Sequence, residues 1–581
     1  MKQRLKYLTL TILVIIPILT YAQISEGGTP PSFQAMNKLR ASEIIPVHSV
    51  PIDIDVKRLI WEDSIAEKNH SAVRVAEVFP VNVNIDSTGI WTNLSNGQKI
   101  WRQTVTAPDA EGLIISYKDF YIPEGGKLFI YNADKSQVLG AYTHSTNKDG
   151  GRFVTEIVHG DTFTIEYVAS TISKEQPRIE LLDIGYVYDK STLLRAASDG
   201  NVNYNPNNDD IKCIPNINCY PENNKWRDQK RGIVLMLLKK MSDVRPPGSW
   251  LGCSGSLINN AKEPGIPYVL TASHCLIGNN LTATEGSYEA SVFYFNYEDA
   301  SCTSSGVQPS LSQTIVGSTI KSFVPLNKGS DAALLLLSSA IPSSYGVYFN
   351  GWDRQGTIPK DGAIIHHPNR DVKRITKYAS TPTRPAVSTT TLNMSGVTGI
   401  PIGHFSVRYS EGVTQSGSSG SPMFNDKGLI VGTLSAGASR CDNPTAEDVY
   451  GRFFFHWDKY VSDEVSPKQS RTLKEFLDPD GTGITTLSGY DPNGTSGIDN
   501  IVDNTVDFVL FPNPADNEVH INCKSIIKSM RIYNISGRLL YSRSDNNSST
   551  LSVNIKGWSS GVYNVVVQTV SGKISDKFIK K

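Results

Sequence analysis

The sequence predicts an all-β protein made of several β domains in a row. Three observations carry this expectation. Runs rich in β-branched and aromatic residues, such as "VFPVNVNI", "KLFIYNA" and "TFTIEYV", recur along the chain. Turn words such as "EGG", "KDGG" and "HGD" separate them, as they separate short strands. Helical spacing is only local, as at Leu473, Phe476 and Leu477 of "SRTLKEFLD". With 581 residues the chain is too long for one domain and suits three. Its 56 basic and 56 acidic residues balance to a formal charge of zero. No long basic run occurs, so nothing points to a nucleic-acid partner.

The first element is a targeting segment. "MKQRLKYLTLTILVIIPILTYAQ" opens with Lys2, Arg4 and Lys6, continues with an apolar run from Leu8 to Leu19, and ends at Thr20-Tyr21-Ala22. This is the three-part pattern of a secretory signal over residues 1–22, cut before Gln23. A membrane anchor is the alternative, but the run is short for a span of about 20 residues. An exported chain can keep disulfides.

Residues 23–200 contain no cysteine, and their strand-and-turn pattern predicts a β-sandwich. "NVNYNPNNDD", Asn201 to Asp210, reads as a linker or exposed loop. The next unit, residues 201–490, holds six of the seven cysteines: Cys213, Cys219, Cys253, Cys275, Cys302 and Cys441. Three pairs are the simplest arithmetic, though spacing alone does not choose the pairing. Cys523 lies far downstream.

This second unit carries the chemistry. "GVTQSGSSGSPMF", Gly412 to Phe424, is either a flexible polar loop or the turn that presents a catalytic serine. A serine hydroxyl needs a base within hydrogen-bond reach, and the base needs an orienting carboxylate. Both occur in suitable contexts. The apolar strand Tyr268-Val269-Leu270 runs into Thr271-Ala272-Ser273-His274-Cys275. "GSDAALLLL" places Asp331 directly before an apolar strand. The order His274, Asp331, Ser419 differs from the orders of subtilisins and α/β-hydrolases and matches the chymotrypsin class. Glycine at 417 and 420 permits the tight turn that aims the amides of Gly417 and Ser419 at one oxyanion. Ser416, Ser418 and Ser421 are expected to be spectators. A Ser/Gly linker would predict neither the histidine nor the aspartate word.

The words "CSGSLI", "TASHC", "SDAALLLL" and "GSSGSP" resemble the trypsin-like pattern. Together with "GVTQSGSSGSP", "IHHPNRDVKRIT" and "VYGRF" they resemble the bacterial lysyl endopeptidase family over roughly residues 209–490. That resemblance implies a chymotrypsin-like double β-barrel and the pairs Cys213–Cys441, Cys219–Cys302 and Cys253–Cys275, with Cys523 unpaired. It also implies cleavage on the carboxyl side of lysine. A cationic side chain calls for a carboxylate at the pocket base. In this family the carboxylate lies shortly before a "YGR" word, which makes Asp448 the candidate, with Glu447 and Asp442 as rivals. The family also sets a tryptophan and a histidine beside the catalytic histidine. Ser435 occupies the place of the second, and Tyr409 is the nearest aromatic upstream of "GVTQ".

Residues 23–200 then read as a propeptide that assists folding and blocks the site until export, with Lys190 and Arg195 as cleavage candidates. A permanent substrate-binding domain is the competing reading. The chemistry calls for no cofactor. His366-His367 are expected to be structural rather than metal ligands, because neighbours on a strand face opposite ways.

The last elements are a linker, residues 491–506, and a compact unit, residues 507–581. "EVHINC" sets Val519, Ile521 and Cys523 on one face. "MRIYNISGRLLYS" and "GVYNVVVQTVSGKISDKF" read as hairpins. "LFPNPADNEV", "MRIYNISGRLL", "GVYNVVV" and the terminal "KFIKK" resemble the C-terminal sorting domain of type IX secretion. This implies an immunoglobulin-like β-sandwich, export past the outer membrane and a release or surface location. The expected partners are peptide substrates and the secretion machinery, and the expected state is a monomer. Two rival functions remain open at this level: arginine or mixed specificity, and a surface adhesin on an inactive protease fold.

Overall fold

The computed structural model describes residues 25–34, 44–68, 74–189, 212–219, 225–241, 248–276, 291–302, 309, 313–394, 397–459, 472–494, 508–534, 539–569 and 573–581. The signal segment, Lys190, Arg195 and the first linker lie outside the described residues. Among the described residues no helix is long and apolar enough to cross a membrane. The chain divides into two compact units, Met1–Pro492 and Asn493–Lys581.

In the first unit, residues before 190 form two facing β layers. One layer holds Lys99–Thr106 between Val47–Ser49 and Thr162–Val168, and continues to Lys127–Asn132 and Val138–Tyr142. The other holds Arg74–Pro80, Arg178–Val187, Gly112–Tyr121 and Phe153–His159. Trp101, Phe120, Ile130, Tyr142 and Ile165 are among the residues that fill the space between them. A helix, Val56–Lys68, was not foreseen from the strand-dominated pattern. Leu59 is its buried anchor, while Trp61 is 62% exposed, so its apolar residues make no single hidden stripe.

The protease-type region follows as two barrels. The first uses Ile233–Met241, Gly248–Leu257, Tyr268–Thr271, Ser291–Phe295, Thr314–Val316, Ser318–Val324 and Ala332–Leu337. Gly317, at φ 79°, bends the chain between two of these strands, so that one pairs with Ser291–Phe295 and the next with Ala332–Leu337. The second uses Asp361–His366, Arg374–Ala379, Val387–Thr390, His404–Val407, Pro422–Asn425, Ile430–Gly437 and Asp448–Arg452. Strand alternation assigns the faces. Ala333, Leu335 and Leu337 point into the first barrel, while Ala332 and Leu334 point to the seam between barrels. In the second barrel Ile364 points inward, while Ala363 and Ile365 face the same seam.

No break separates the first barrel from the β layers before it. Strand Arg74–Pro80 pairs with Gly248–Leu257, Ser249 opposite Glu77 and Trp250 opposite Ala76. Leu235, Leu237, Trp250 and Tyr294 are buried in the same core as Ile114 and Ile184. Strand Ile233–Met241 is therefore covered on both faces, Val234, Met236 and Leu238 by barrel one and Leu235 and Leu237 by the preceding layers. This explains its uninterrupted apolar run. Lys239 Nζ reaches both carboxylate oxygens of Asp183 at 2.6 Å across this contact.

The second unit is an antiparallel five-stranded sheet built from Phe508–Phe511, Glu518–Asn534, Leu539–Asn554, Gly561–Thr569 and Lys573–Lys580. Register shifts between Asn522 and Ser529 interrupt the pairing along its longest strand, as bulges do where a strand bends. Val519, Ile521 and Cys523 all point into its core.

Candidate active site

The first barrel supplies a histidine and an aspartate. Strand Tyr268–Thr271 runs into a single turn, Ser273–Cys275, that carries His274. The Cys253–Cys275 disulfide, with Cα atoms 6.3 Å apart, ties this turn to strand Gly248–Leu257. Asp331 stands directly before strand Ala332–Leu337, whose register sets Ala333 opposite Thr271. That register brings Asp331 beside His274.

Asp331 is fully buried. Its Oδ2 receives His274 Nδ1 at 2.8 Å. Its Oδ1 accepts the His274 backbone N–H at 3.0 Å and the Ser273 hydroxyl at 2.7 Å. Burial alone would lower the His274 pKa, but the Asp331 charge and hydrogen bond outweigh it and raise the pKa above 6.5. Burial alone would raise that of Asp331, but the His274 charge and these hydrogen bonds hold it at about 2. Ser273, the middle letter of "TASHC", thus takes part in the site; sequence reasoning passed over it although it adjoins the histidine.

The second barrel presents the serine loop. Gly417 and Gly420 have φ of 86° and 78°, a region that glycine occupies without strain. A Cβ on Gly420 would lie 2.1 Å from Thr271 Oγ1 and 2.6 Å from the Ser254 carbonyl, so the loop is pressed against the segment leading to His274. The Ser254 N–H donates to the Ser419 carbonyl at 2.9 Å, and its hydroxyl donates to the Gly417 carbonyl, also at 2.9 Å. The Ser416 carbonyl accepts the Asn369 N–H at 2.6 Å, and the Ser418 carbonyl accepts the Ser421 N–H at 3.0 Å. In a trans peptide N–H and C=O point opposite ways. The Gly417 N–H therefore points away from Asn369, and the Ser419 N–H away from the Ser421 amide.

Ser418, expected to stand outside the chemistry, has a structural partner in the second barrel. Its hydroxyl lies 2.7 Å from His366 Nδ1 and accepts the Gln415 N–H at 3.2 Å. His366 also meets Thr376 Oγ1 at 3.2 Å, while His367 Nδ1 meets the Asp371 carbonyl at 2.9 Å. Burial pushes both rings down to about 3, so they are neutral braces under the serine loop.

Asp448 opens strand Asp448–Arg452 and is fully buried. Its Oδ1 accepts the backbone N–H groups of Ala438 and Ser439, each at 2.9 Å. Its Oδ2 accepts three hydroxyls: Thr414 at 2.5 Å, Ser439 at 2.7 Å and Tyr409 at 2.7 Å. The Tyr409 hydroxyl also meets that of Tyr450 at 2.6 Å. A Cβ on Gly437 would lie 2.5 Å from the carboxylate, so only glycine fits beside it. The two rivals are placed differently. Glu447 pairs with Arg408 and Ser406, and Asp442, 81% exposed, pairs with Arg440. Ser435 is buried in the strand opposite. Tyr409, the nearest aromatic upstream of "GVTQ", belongs to the Asp448 cluster. No sequence signal identified Ser254, Ser439 or Tyr409 as partners; Ser254 and Tyr409 lie 163 and 39 residues from the groups they bind, and Ser439 meets Asp448 across a hairpin.

The disulfides join Cys213–Cys441, Cys219–Cys302 and Cys253–Cys275, and Cys523 is a free, buried thiol. Cys213–Cys441 closes 228 residues and ties the start of this region to the loop near Asp448.

The two barrels are of the chymotrypsin-like double-barrel type. Residues 207–451 match the family described as Lysyl endopeptidase, C-terminal domain. Residues 509–581 match the Secretion system C-terminal sorting domain. A Pseudomonas aeruginosa protein named Lysyl endopeptidase is 26% identical over 208 residues, which span 34% of this chain and 40% of that relative's length. Among solved structures, a thermostable serine protease from an extremophilic microorganism is 14% identical with a TM-score of 0.27, covering 38% of this chain and 91% of that chain. An immunoglobulin-like β-sandwich protein from Bacteroides vulgatus is 13% identical with a TM-score of 0.12, covering 13% of this chain and 94% of that chain. The chain thus resembles lysyl endopeptidases in its protease region. It carries a type IX sorting domain that directs it outside the cell, free or held at the surface.

Proposed function

We propose that this secreted serine protease cleaves peptide bonds on the carboxyl side of lysine. Ser419 Oγ attacks the scissile carbonyl carbon and its proton passes to His274 Nε2. Asp331 holds Nδ1–H and stabilises the imidazolium. The oxyanion is received by the N–H groups of Gly417 and Ser419, and the carbonyls anchored beside them support that assignment. Collapse breaks the C–N bond and the amine departs with the proton from His274. Water then adds to the acyl-enzyme, its proton again taken by His274, and Ser419 is released.

The observation that carries the lysine reading is the surroundings of Asp448. Three hydroxyls donate to its Oδ2, and each keeps lone pairs that can accept from an ammonium. A compact ammonium with three donors suits such a collar. A guanidinium prefers a bare carboxylate edge for its planar fork. A cleavage-site profile on a denatured protein mixture, with Ser419→Ala as control, tests this. Cuts after lysine alone support it; Ser419-dependent cuts after both lysine and arginine replace it with mixed specificity.

The region before residue 190 acts in this reading as a propeptide that templates the first barrel. Its support is the strand pairing of Arg74–Pro80 onto Gly248–Leu257 and the shared core. The N-terminal sequence of the secreted form tests it: a start between 196 and 210 is expected.

A further inference from the structure

A second buried cluster meets the backbone of Asp331. Ser330 Oγ lies 2.8 Å from His456 Nδ1. His456 Nε2 lies 3.1 Å from Thr433 Oγ1, which donates to the Asp331 carbonyl at 3.3 Å. Ser330, Thr433 and His456 are each at most 1% exposed. His456 sits in the short helix Phe453–Asp458, and Thr433 in strand Ile430–Gly437.

The protons in this chain can be assigned. Thr433 spends its proton on the Asp331 carbonyl, so its oxygen accepts Nε2–H from the ring. A neutral imidazole then has a bare Nδ1, which accepts the Ser330 O–H. Burial lowers the His456 pKa to about 3, and neighbouring His404 is likewise lowered, to about 4. Asp331 and His404 are the titratable groups that face His456, and Asp331 faces His404.

Asp331 needs such support. Its φ is 64°, in the left-handed region that a non-glycine residue occupies only when its surroundings hold it there. Its N–H is held by the Pro325 carbonyl at 3.2 Å. The other backbone anchor is Thr433, at the end of the chain from His456. The preceding carbonyl, Ser330, packs so tightly on Gly451 that a Cβ there would lie 1.9 Å away.

We propose that His456 is a positioning residue for the protease: as a neutral ring it orients Ser330 and Thr433, and through them fixes the backbone angle at which Asp331 meets His274. This rests on the reading of Asp331 as the carboxylate of the triad. The mechanism predicts a specific signature. If Asp331 turns, its coupling to His274 weakens, the His274 pKa falls back, and the acid limb of the rate profile moves to lower pH while kcat drops.

The test uses full-length processed protein and a lysyl reporter substrate, comparing wild type, Thr433→Val, Thr433→Ser, His456→Phe and Ser419→Ala. Thr433→Val keeps shape and removes the last donor, so it serves even if His456→Phe fails to fold. The expected result for Thr433→Val is a kcat lower by roughly 10- to 100-fold, the range a small misplacement of catalytic groups costs. KM stays near wild type, the acid limb moves down, and Thr433→Ser restores both. A Thr433→Val enzyme with wild-type kcat and an unmoved limb overturns the inference, even if its melting temperature falls. Wild-type protein without Ser419-dependent cleavage overturns the triad reading beneath it.

Discussion

Replacing Asp448 by asparagine isolates the charge at the base of the proposed pocket. The structure indicates how the substitution is accommodated. The two donors to Oδ1 are backbone N–H groups, which cannot reverse. The three donors to Oδ2 are hydroxyls, which can rotate to accept. Asparagine therefore fits with its carbonyl oxygen toward Ala438 and Ser439 and its NH₂ toward Thr414, Ser439 and Tyr409. The fold survives, but the two amide N–H groups donate to two of the three hydroxyl oxygens, which no longer face the substrate ammonium, and the negative charge is gone. Removing one partner of a buried, hydrogen-bonded charge pair costs about 2 to 5 kcal/mol. At about 1.4 kcal/mol per factor of ten, kcat/KM on a lysyl substrate should fall by roughly 30- to 4,000-fold. The assay compares lysyl, arginyl and uncharged reporter substrates, with an active-site fluorophosphonate label counting competent Ser419. A lysyl kcat/KM within about threefold of wild type, at equal labelling, would sink the assignment of Asp448.

Four further outcomes are expected. Because Asp331 raises the His274 pKa above 6.5, kcat/KM should fall as pH drops through that raised value. The Asp331 carboxyl, held at about 2 against 3.8, stabilises the fold above the unfolded value and loses this as pH falls toward 2; acid denaturation followed by circular dichroism, wild type against Asp331→Asn, reads it. Ser273→Ala removes one hydrogen bond to a buried carboxylate, and steady-state kinetics should show a kcat loss of roughly 10- to 150-fold, matching about 1.5–3 kcal/mol for bonds to charged groups. Lys239→Met leaves Asp183 buried without its cation and should cost about 3–5 kcal/mol in urea unfolding, whereas Lys239→Met with Asp183→Leu should recover most of it; a single variant as stable as wild type would show that this contact is not well desolvated.

Much of the site is legible in short words because its chemistry uses short-range geometry. "TASHC" is a strand running into one turn, and that turn is where His274 stands. "GSSGSP" places glycines where φ is positive and neighbouring backbone comes close. "GSDAALLLL" alternates between the interior of a barrel and the seam, so Asp331 falls at the strand edge. The structural partner of Ser418 was not legible, for the same reason in reverse. Its partner His366 is 52 residues away, and no local pattern announces a brace. The boundary after residue 200 is likewise invisible in the fold of the first barrel, because strand Arg74–Pro80 hydrogen-bonds to Gly248–Leu257 as any neighbouring strand would.

By itself the sequence determined the all-β class, the sorting domain at the level of pattern, the order of the candidate site residues along the chain, and the alternation that orients each strand. All of these follow from local rules: period-two side chains, turn chemistry and the left-handed freedom of glycine. Only the tertiary structure decided what surrounds each buried charge. The partners of Asp448 come from Tyr409, Thr414, Ala438 and Ser439, and the backbone of Asp331 is held from Thr433, 102 residues on. A buried carboxylate must be satisfied by whatever donors the strand register brings to it. In β proteins that register joins residues far apart in the chain, so the donors are set by the fold as a whole and not by the neighbours in sequence.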